Sequence, residues 1–172
     1  MKQELRNKYR TIRKNIKFKK IRDFIIFIKL ITNKKIKKSK KILTYVSTKE
    51  EIDTIRIIKY FINKKEIYVP TIENDLINFY RIKSLNDLKV GKYKILEPIS
   101  QEKITNFKNA VCITPGICFS KNHYRIGYGK GFYDKFFAKN KVYSIGLCYK
   151  KCLINNLSLD KYDIIVDKLI TD

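Results

Sequence analysis

The stretch Arg125-Ile126-Gly127-Tyr128-Gly129-Lys130-Gly131-Phe132-Tyr133-Asp134 is the part of the chain around which the rest is organised. Its three glycines stand at alternate positions, and glycine permits positive φ and a close approach of another molecule to the backbone. Successive amide groups in such a loop can surround an anion, and Arg125 and Lys130 add positive charge. The next residues are typical of a helix start, which also favours phosphate. The stretch predicts a polyphosphate site with Asp134 as a candidate metal ligand.

Two common nucleotide-binding motifs are excluded by the same stretch. No Gly-Lys pair is followed by Ser or Thr, as a Walker loop requires. Phe132 stands where a dinucleotide-binding fingerprint would have its third glycine. The glycines alone are equally compatible with a tight strand-to-helix turn, so a purely structural role stays open at this point.

Strands and helices alternate on both sides of the glycine stretch. The predicted strands are Ile42–Val46, Glu66–Thr71, Leu76–Ile82, Ala110–Thr114 and Val142–Cys148. The predicted helices are Met1–Lys20, Ile21–Ile31 (buried on most sides) and one that runs from a Thr48/Glu51 capping box to about Asn63, with a basic loop over Asn33–Lys41. This order predicts one domain over residues 1–172, a three-layer α/β fold with a mostly parallel sheet and helices on both faces. Ligands of such sheets bind beyond the carboxyl ends of strands.

Charge and composition leave several partners open. The chain has 172 residues, 44% of them hydrophobic, so disorder throughout is excluded. Its formal net charge is +23, which fits nucleic acid, a basic cleft for an anionic small substrate, or a general lysine bias. Because the sequence contains no recognised nucleic-acid module, we do not expect a nucleic-acid partner.

The cysteines and the apolar runs indicate the compartment. Four cysteines and a single histidine match no zinc-binding spacing, so we expect reduced thiols, with Cys112 and Cys148 in the core. The most apolar run, Phe24–Ile31, is short and contains Lys29, so it cannot span a bilayer. No signal peptide is recognisable. We therefore expect a cytoplasmic protein without a membrane partner.

Two stripes run along the predicted first helix. The apolar stripe comprises Leu5, Tyr9, Ile12 and Ile16, and the basic stripe comprises Lys2, Arg6, Arg10 and Arg13. Both follow the spacing of one helical face. Periodicity alone favours a solvated face for the basic stripe.

The glycine stretch and its flanks resemble the 5-formyltetrahydrofolate cyclo-ligase family, also called methenyltetrahydrofolate synthetases. Members carry Pro-Gly, Phe-Asp and then Arg-Leu-Gly-x-Gly-x-Gly-Tyr-Tyr-Asp, which Pro115-Gly116, Phe119 and Arg125–Asp134 match at this spacing. Looser matches, such as Gly91–Pro98, extend over the whole chain. The resemblance implies a Rossmann-like, cyclo-ligase type of fold. It also implies conversion of 5-formyltetrahydrofolate to 5,10-methenyltetrahydrofolate, with ATP as co-substrate and Mg²⁺.

The resemblance also implies site residues. The ATP-binding set is Lys2, Arg6, Arg125, Ile126, Gly127, Tyr128, Gly129, Lys130, Gly131, Phe132 and Tyr133. The folate-binding set is Val46, Glu51 and Tyr133, and the magnesium set is Asp134 and Asp163. From the residues alone, Glu51 can instead be the capping-box residue, and Asp163 can be a turn or strand-edge residue.

Four positions depart from the family pattern. Ser120 replaces Asp, His123 replaces Gly, Cys152 replaces Gln and Phe132 replaces Tyr. The first two lie in the turn that sets the geometry of Arg125. Two other functions therefore stay open: an RNA-binding module that kept the fold without the chemistry, and a different ATP-dependent small-molecule ligase. The sequence does not define the oligomeric state.

Overall fold

The computed structural model describes residues 2–91, 94–155 and 164–172. The helices are α1 (Lys2–Lys14), α2 (Lys19–Ile31), α3 (Lys34–Lys38), α4 (Thr54–Phe61) and α5 (Phe132–Lys139). The first strands are β1 (Lys41–Thr44), β2 (Glu66–Glu73), β3 (Leu76–Ile82), β4 (Leu88–Val90), β5 (Leu96–Pro98) and β6 (Ala110–Thr114). The remaining strands are β7 (Cys118–Ser120), β8 (Arg125–Ile126), β9 (Tyr143–Cys148), β10 (Leu153–Ile154) and β11 (Lys168–Thr171).

A six-stranded sheet in the order β11-β9-β6-β1-β2-β3 forms the centre of the fold. The four pairings from β11 to β2 are parallel, and only β3 at the edge runs antiparallel, to β2. Asn74 and Asp75 make the β2–β3 turn with φ of 48° and 59°, a region that Asn and Asp enter more readily than most residues. The predicted mostly parallel sheet is confirmed.

Alternate residues of the central strands enter two separate apolar cores. On one face Ile42 and Ile113 join the core that also contains buried residues of α1, α2, α3 and α4. On the other face Leu43 and Cys112 join a smaller core with Phe136 of α5. This alternation is the two-residue period of a strand that is covered on both sides. Helices therefore lie on both faces, and the three-layer prediction is confirmed.

The strand order reverses between β1 and β6. From β1 the chain continues on one side into β2 and β3, and on the other side into β6, β9 and β11. Open α/β sheets hold ligands in the crevice at such a switch point, beyond the carboxyl ends of the strands. Glu51 follows the end of β1, and Pro115–Gly116 follow the end of β6, so both lie at this crevice.

The N-terminal helices differ from their predicted extents. Phe18 has φ of 56° in the left-handed region, so α1 ends at Lys14 and α2 begins at Lys19. The prediction that the second helix is buried on most sides is wrong, because Ile21 and Phe24 are 60% and 48% exposed. The basic stretch predicted as a loop contains α3, since the Asn33 side chain accepts hydrogen bonds from the first free amides of that helix.

The capping-box prediction is half right. Oε2 of Glu51 accepts the Thr48 backbone N–H at 2.8 Å, as the box requires. However, the helix begins only at Thr54, where Asp53 is the N-cap and accepts the Arg56 N–H at 3.2 Å. Glu51 therefore belongs to a separate turn between β1 and α4.

Phe119 of β7 packs its ring against two glycine backbones. A Cβ on Gly116 would lie 2.4 Å from the ring, and a Cβ on Gly146 of β9 would lie 2.6 Å from it. Phe119 is fully buried, so the ring has no room to withdraw.

None of the described helices is long and apolar enough to cross a membrane.

Candidate active site

The glycine loop, Gly127–Gly131, connects β8 to α5. Gly129 and Gly131 have φ of 99° and 67°, which glycine adopts without a steric penalty. Gly131 is the residue before α5, so the free backbone N–H groups of the first turn of that helix lie at the end of the loop. Lys130 is exposed within the loop. Together these features form the surroundings that phosphate groups favour.

Arg125 points into the protein from the strand before the loop. Its Nη2 atom donates to Oδ1 of Asp134 at 2.8 Å, and its Nη1 atom donates to the Pro115 carbonyl at 3.3 Å. Arg125 is 7% exposed. The structure therefore gives the predicted ATP ligand and the predicted magnesium ligand a bond to each other, and their ligand roles stay predictions.

The basic stripe of α1 faces the glycine loop. Nε of Arg6 donates to the Gly127 carbonyl at 3.0 Å, and Nη1 of Arg13 donates to the Gly116 carbonyl at 3.3 Å. The Arg10 guanidinium lies 5.7 Å from the centre of the Tyr128 ring. The solvated face that periodicity favours for this stripe is therefore wrong. Lys2 lies in the first turn of the same helix.

A hydrogen-bond chain connects α1, the loop and Glu51. Nη2 of Arg13 donates to the Tyr128 hydroxyl at 3.0 Å, and that hydroxyl donates to Oε1 of Glu51 at 2.5 Å. Burial, followed by the Glu51 charge, raises the pKa of Tyr128 above its ordinary value. The hydroxyl is therefore protonated near neutral pH and can act as the donor. Sequence analysis placed Tyr128 in the ATP set only, because no local pattern indicates contacts with residues so distant in the chain.

A pocket lies beside this chain of hydrogen bonds, between the carboxyl ends of β1, β6 and β9. Its cavity volume is about 10 Å³, room for about one water molecule, and it opens to solvent on one side. Its walls are Arg13, Tyr45, Glu51, Ile52, Pro115, Gly116, Ile117, Leu147, Cys148, Tyr149 and Cys152. Val46, predicted to line the folate site, is buried in the larger core and is not among the wall residues.

Three buried polar atoms near the loop have no hydrogen-bond partner among the described residues. They are Nε of Arg13, Nε of Arg125 and the hydroxyl oxygen of Tyr133. Burial raises the pKa of Tyr133 well above its ordinary value, so its hydroxyl is protonated near neutral pH. An unpaired buried polar group costs about 1–3 kcal/mol. A ligand that accepts hydrogen bonds here would remove that cost.

The two residues that depart from the family pattern in the turn before Arg125 both make hydrogen-bond contacts. Oγ of Ser120 accepts the Tyr124 N–H at 3.1 Å, which supplies an acceptor where the family has Asp. His123 has φ of 67°, which explains the usual glycine at this position. Its Nδ1 atom lies 3.1 Å from the Val166 carbonyl oxygen, so its ring contacts the C-terminal segment.

The acidic residues fit magnesium that arrives with a nucleotide. Within residues 2–91, 94–155 and 164–172, no group of three or more His, Cys, Asp or Glu side chains could hold a metal. Asp163, the second predicted ligand, lies outside the described residues. Magnesium in nucleotide enzymes is held by one or two carboxylates together with phosphates and water. Asp134 can supply one such carboxylate, so the donors fit that arrangement and do not form an all-protein site.

The fold and the site define an α/β protein with a candidate ligand site at the switch point of a mostly parallel sheet. The model of the 5-formyltetrahydrofolate cyclo-ligase family matches residues 1–172. The chain therefore belongs to this family, and it is a ligase.

Relatives and solved structures agree with this membership. A probable 5-formyltetrahydrofolate cyclo-ligase of Caenorhabditis elegans is 27% identical over 162 residues, which cover 84% of this chain and 79% of the relative. The 5-formyltetrahydrofolate cyclo-ligase of Saccharomyces cerevisiae is 29% identical over 160 residues, covering 77% and 75%. The NMR structure of Aquifex aeolicus 5,10-methenyltetrahydrofolate synthetase is 32% identical, with a TM-score of 0.88 over 99% of this chain and 89% of that one. The Mycoplasma pneumoniae synthetase, 23% identical with a TM-score of 0.76 over 98% and 97%, supports the fold alone. The resemblance found in the sequence is confirmed.

Proposed function

We propose that the chain converts 5-formyltetrahydrofolate to 5,10-methenyltetrahydrofolate, with ATP going to ADP and phosphate. The observation that carries the proposal is the set of unpaired buried donors at the glycine loop, on Arg13, Arg125 and Tyr133. Arg13 contacts Tyr128 of the glycine loop, Arg125 lies in the strand before the loop, and Tyr133 lies in the first turn of α5, three residues after exposed Lys130. A loop followed by a helix N-terminus suits an anionic ligand rich in acceptor oxygens. Family membership supplies the reaction.

The chemistry proceeds in two steps. The formyl oxygen attacks the γ-phosphorus of ATP, an O–P bond forms, and the bond to ADP breaks. N10 then attacks the activated formyl carbon and loses its proton, and the carbon–oxygen bond breaks with release of phosphate. The product has the formyl carbon bonded to both N5 and N10. Phosphorylation is needed because the formamide oxygen is otherwise a poor leaving group.

The nucleotide side of the site is formed by the glycine loop and α1. The proposed ATP contacts are Lys2, Arg6, Arg125, Ile126, Gly127, Tyr128, Gly129, Lys130, Gly131, Phe132 and Tyr133, and Arg125 also holds Asp134. Phosphoryl transfer depends mainly on positioning and charge neutralisation, which these cationic groups and loop amides provide. Magnesium, when bound, would neutralise phosphate charge, with Asp134 and Asp163 as its proposed carboxylates.

The proposed folate contacts are Glu51, Tyr133 and Val46, and of these only Glu51 borders the pocket. Glu51 is 9% exposed and borders the pocket, so a pterin edge that bonds it would be largely screened from water. A cytoplasmic location, and partners restricted to small molecules without nucleic acid, belong to the same proposal.

The test is a complete reaction with purified protein, ATP, Mg²⁺ and 5-formyltetrahydrofolate, followed through the absorbance of the methenyl product. We expect product only when all three small molecules are present. Omission of ATP and omission of Mg²⁺ are the controls. ATP binding without product would assign the chain to another ligase activity. RNA binding that weakens steeply with salt, without product, would assign it to the RNA-binding alternative.

A further inference from the structure

We propose that Tyr128 is a positioning residue for folate, which from within the nucleotide loop holds the Glu51 carboxylate in the orientation that receives the pterin. This inference rests on the proposed function and adds a role that the ATP set does not include. The carrying observation is the 2.5 Å hydrogen bond from the Tyr128 hydroxyl to Oε1 of Glu51.

Each carboxylate oxygen of Glu51 accepts one hydrogen bond from the described residues. Oε1 accepts from Tyr128, and Oε2 accepts the Thr48 backbone N–H at 2.8 Å. Each carboxylate oxygen has about two acceptor positions, and the residues that the structure describes occupy one on each, so each keeps one for a ligand. The pterin ring carries an amide N–H beside an amino group, and this pair of donors matches the two oxygens of a carboxylate. The two anchors therefore fix the carboxylate plane and leave free the positions that a pterin needs.

Arg13 determines the direction of the Tyr128 hydrogen bond. A guanidinium can only donate, so the 3.0 Å contact from Nη2 of Arg13 uses a lone pair of the Tyr128 oxygen. The hydroxyl hydrogen is left for Glu51. Arg13 is itself held by the Gly116 carbonyl at the end of β6, at 3.3 Å. The orientation of Glu51 thus depends on a continuous series of contacts that begins at the central sheet.

The position of Tyr128 in the glycine loop connects the proposed phosphate site with Glu51. Tyr128 as a whole residue is 41% exposed, whereas Glu51 is 9% exposed, so the hydrogen bond between them connects an exposed loop residue to a buried carboxylate. Gly127 and Gly129 flank Tyr128 in the segment proposed to bind phosphates. The Tyr128 side chain therefore belongs to the glycine loop and also contacts Glu51, the carboxylate proposed to bind folate.

A double-mutant cycle tests the inference on the full-length protein. The dissociation constant of 5-formyltetrahydrofolate is measured by calorimetry for wild type, Tyr128→Phe, Glu51→Gln and the double variant. We expect Tyr128→Phe to weaken binding about tenfold and Glu51→Gln to weaken it at least tenfold. In the double variant, binding should be no weaker than in Glu51→Gln alone, because Tyr128 acts through Glu51.

Tyr124→Phe is the matched control, since it removes a tyrosine hydroxyl from the same segment without touching the Arg13–Tyr128–Glu51 series. Its folate affinity should equal that of wild type. Melting temperatures of all variants are measured alongside, because Tyr128→Phe also leaves Nη2 of Arg13 without its acceptor, and folate affinity is compared only among variants that are folded at the assay temperature. Additive weakening in the double variant, unchanged affinity in Tyr128→Phe, or tighter binding in Tyr128→Phe would each overturn the inference. Tighter binding would mean that Tyr128 competes with folate for Glu51. A wild-type protein that neither binds folate nor forms product would overturn the proposed function itself.

Discussion

Nη2 of Arg125 donates a 2.8 Å hydrogen bond to Oδ1 of Asp134 and thereby joins the strand before the glycine loop to the helix after it. The Arg125 side chain is 5% exposed and that of Asp134 is 31% exposed, so the pair extends from the interior to the edge of the site. A buried guanidinium is stable only with a partner. The separation of the two ends of the loop is therefore fixed by an ion pair before any nucleotide binds.

Replacement of Asp134 by Asn should destabilise the protein even without nucleotide. The Arg125 guanidinium would lose its counter-charge but keep a neutral acceptor, so we expect the free energy of unfolding to fall by about 1–3 kcal/mol. Urea denaturation measures the loss. Glu50→Gln, which removes only a solvent-accessible ion pair with Lys14 at 3.4 Å, is the control and should change little. Unchanged stability of Asp134→Asn would show that the carboxylate serves only magnesium.

Lys130→Ala should weaken ATP binding. Lys130 is exposed between two glycines at the start of α5, so its loss removes a charge-assisted hydrogen bond to phosphate. We expect a loss of about 1.5–3 kcal/mol in calorimetry. Lys139→Ala, at the far end of the same helix, should bind ATP as wild type does. Equal ATP affinity in a folded Lys130→Ala protein would remove Lys130 from the site.

The effect of a substitution at His123 on the free energy of unfolding should depend on whether the new residue tolerates positive φ. His123 has φ of 67°, so His123→Val should lower the free energy of unfolding by about 1–2 kcal/mol, because a β-branched residue is strained there. His123→Gly removes that strain but also the contact with Val166, so its stability should stay within about 1 kcal/mol of wild type. Urea unfolding distinguishes the two variants. Equal losses would show that the ring contact, rather than φ, dominates.

The buried thiols should make the protein less stable in alkali. Burial raises the pKa of Cys152 from 9.0 to about 11, and that of Cys112 and Cys118 to about 12. Above pH 9 the unfolded chain releases these protons while the native chain retains them, so the unfolded state gains stability. The contribution of each thiol is complete below its unfolded pKa and is lost as the pH rises towards its folded pKa.

Urea denaturation at several pH values between 8 and about 11 measures this loss. Cys152→Ala should show a shallower decrease than wild type, because one of the titrating groups is absent. Other groups that titrate in this range are common to both proteins, so the comparison isolates the thiol. Identical pH profiles would contradict the prediction.

Much of the sheet could be predicted because its strands are continuous apolar runs. Ala110–Thr114 was predicted at its observed bounds. The strand predicted over Glu66–Thr71 is observed over Glu66–Glu73, two residues longer. Helix ends were predicted less well. The break after Lys14 depends on the left-handed conformation of Phe18, which propensity does not indicate. The start of α4 at Thr54 reflects a choice between two capping acids, Glu51 and Asp53, which the local sequence does not decide.

In the candidate site too, local motifs could be predicted from the sequence, whereas contacts between distant residues could not. The glycine loop is a local motif, so its residues could be identified from the sequence. The contacts of Arg6 and Arg13 with the loop, and of Tyr128 with Glu51, connect residues that are far apart in the chain. Their pairing depends on the packing of α1 across the carboxyl end of the sheet, which periodicity does not specify. For that reason periodicity alone favoured solvent for the basic stripe, and Tyr128 was not connected with Glu51.

The ring of Phe119 occupies space over Gly116 and Gly146, and this arrangement constrains how the three positions can evolve. Alanine at Gly146 would collide with the ring, whereas a shorter side chain at 119 would leave a void. Neither change is therefore neutral by itself, but a smaller residue at 119 would be permissive for alanine at 146. The order in which substitutions arise then matters, and we expect strong epistasis among these sites. Because the Gly116 carbonyl also accepts the hydrogen bond from Arg13, that epistasis extends to the edge of the candidate active site.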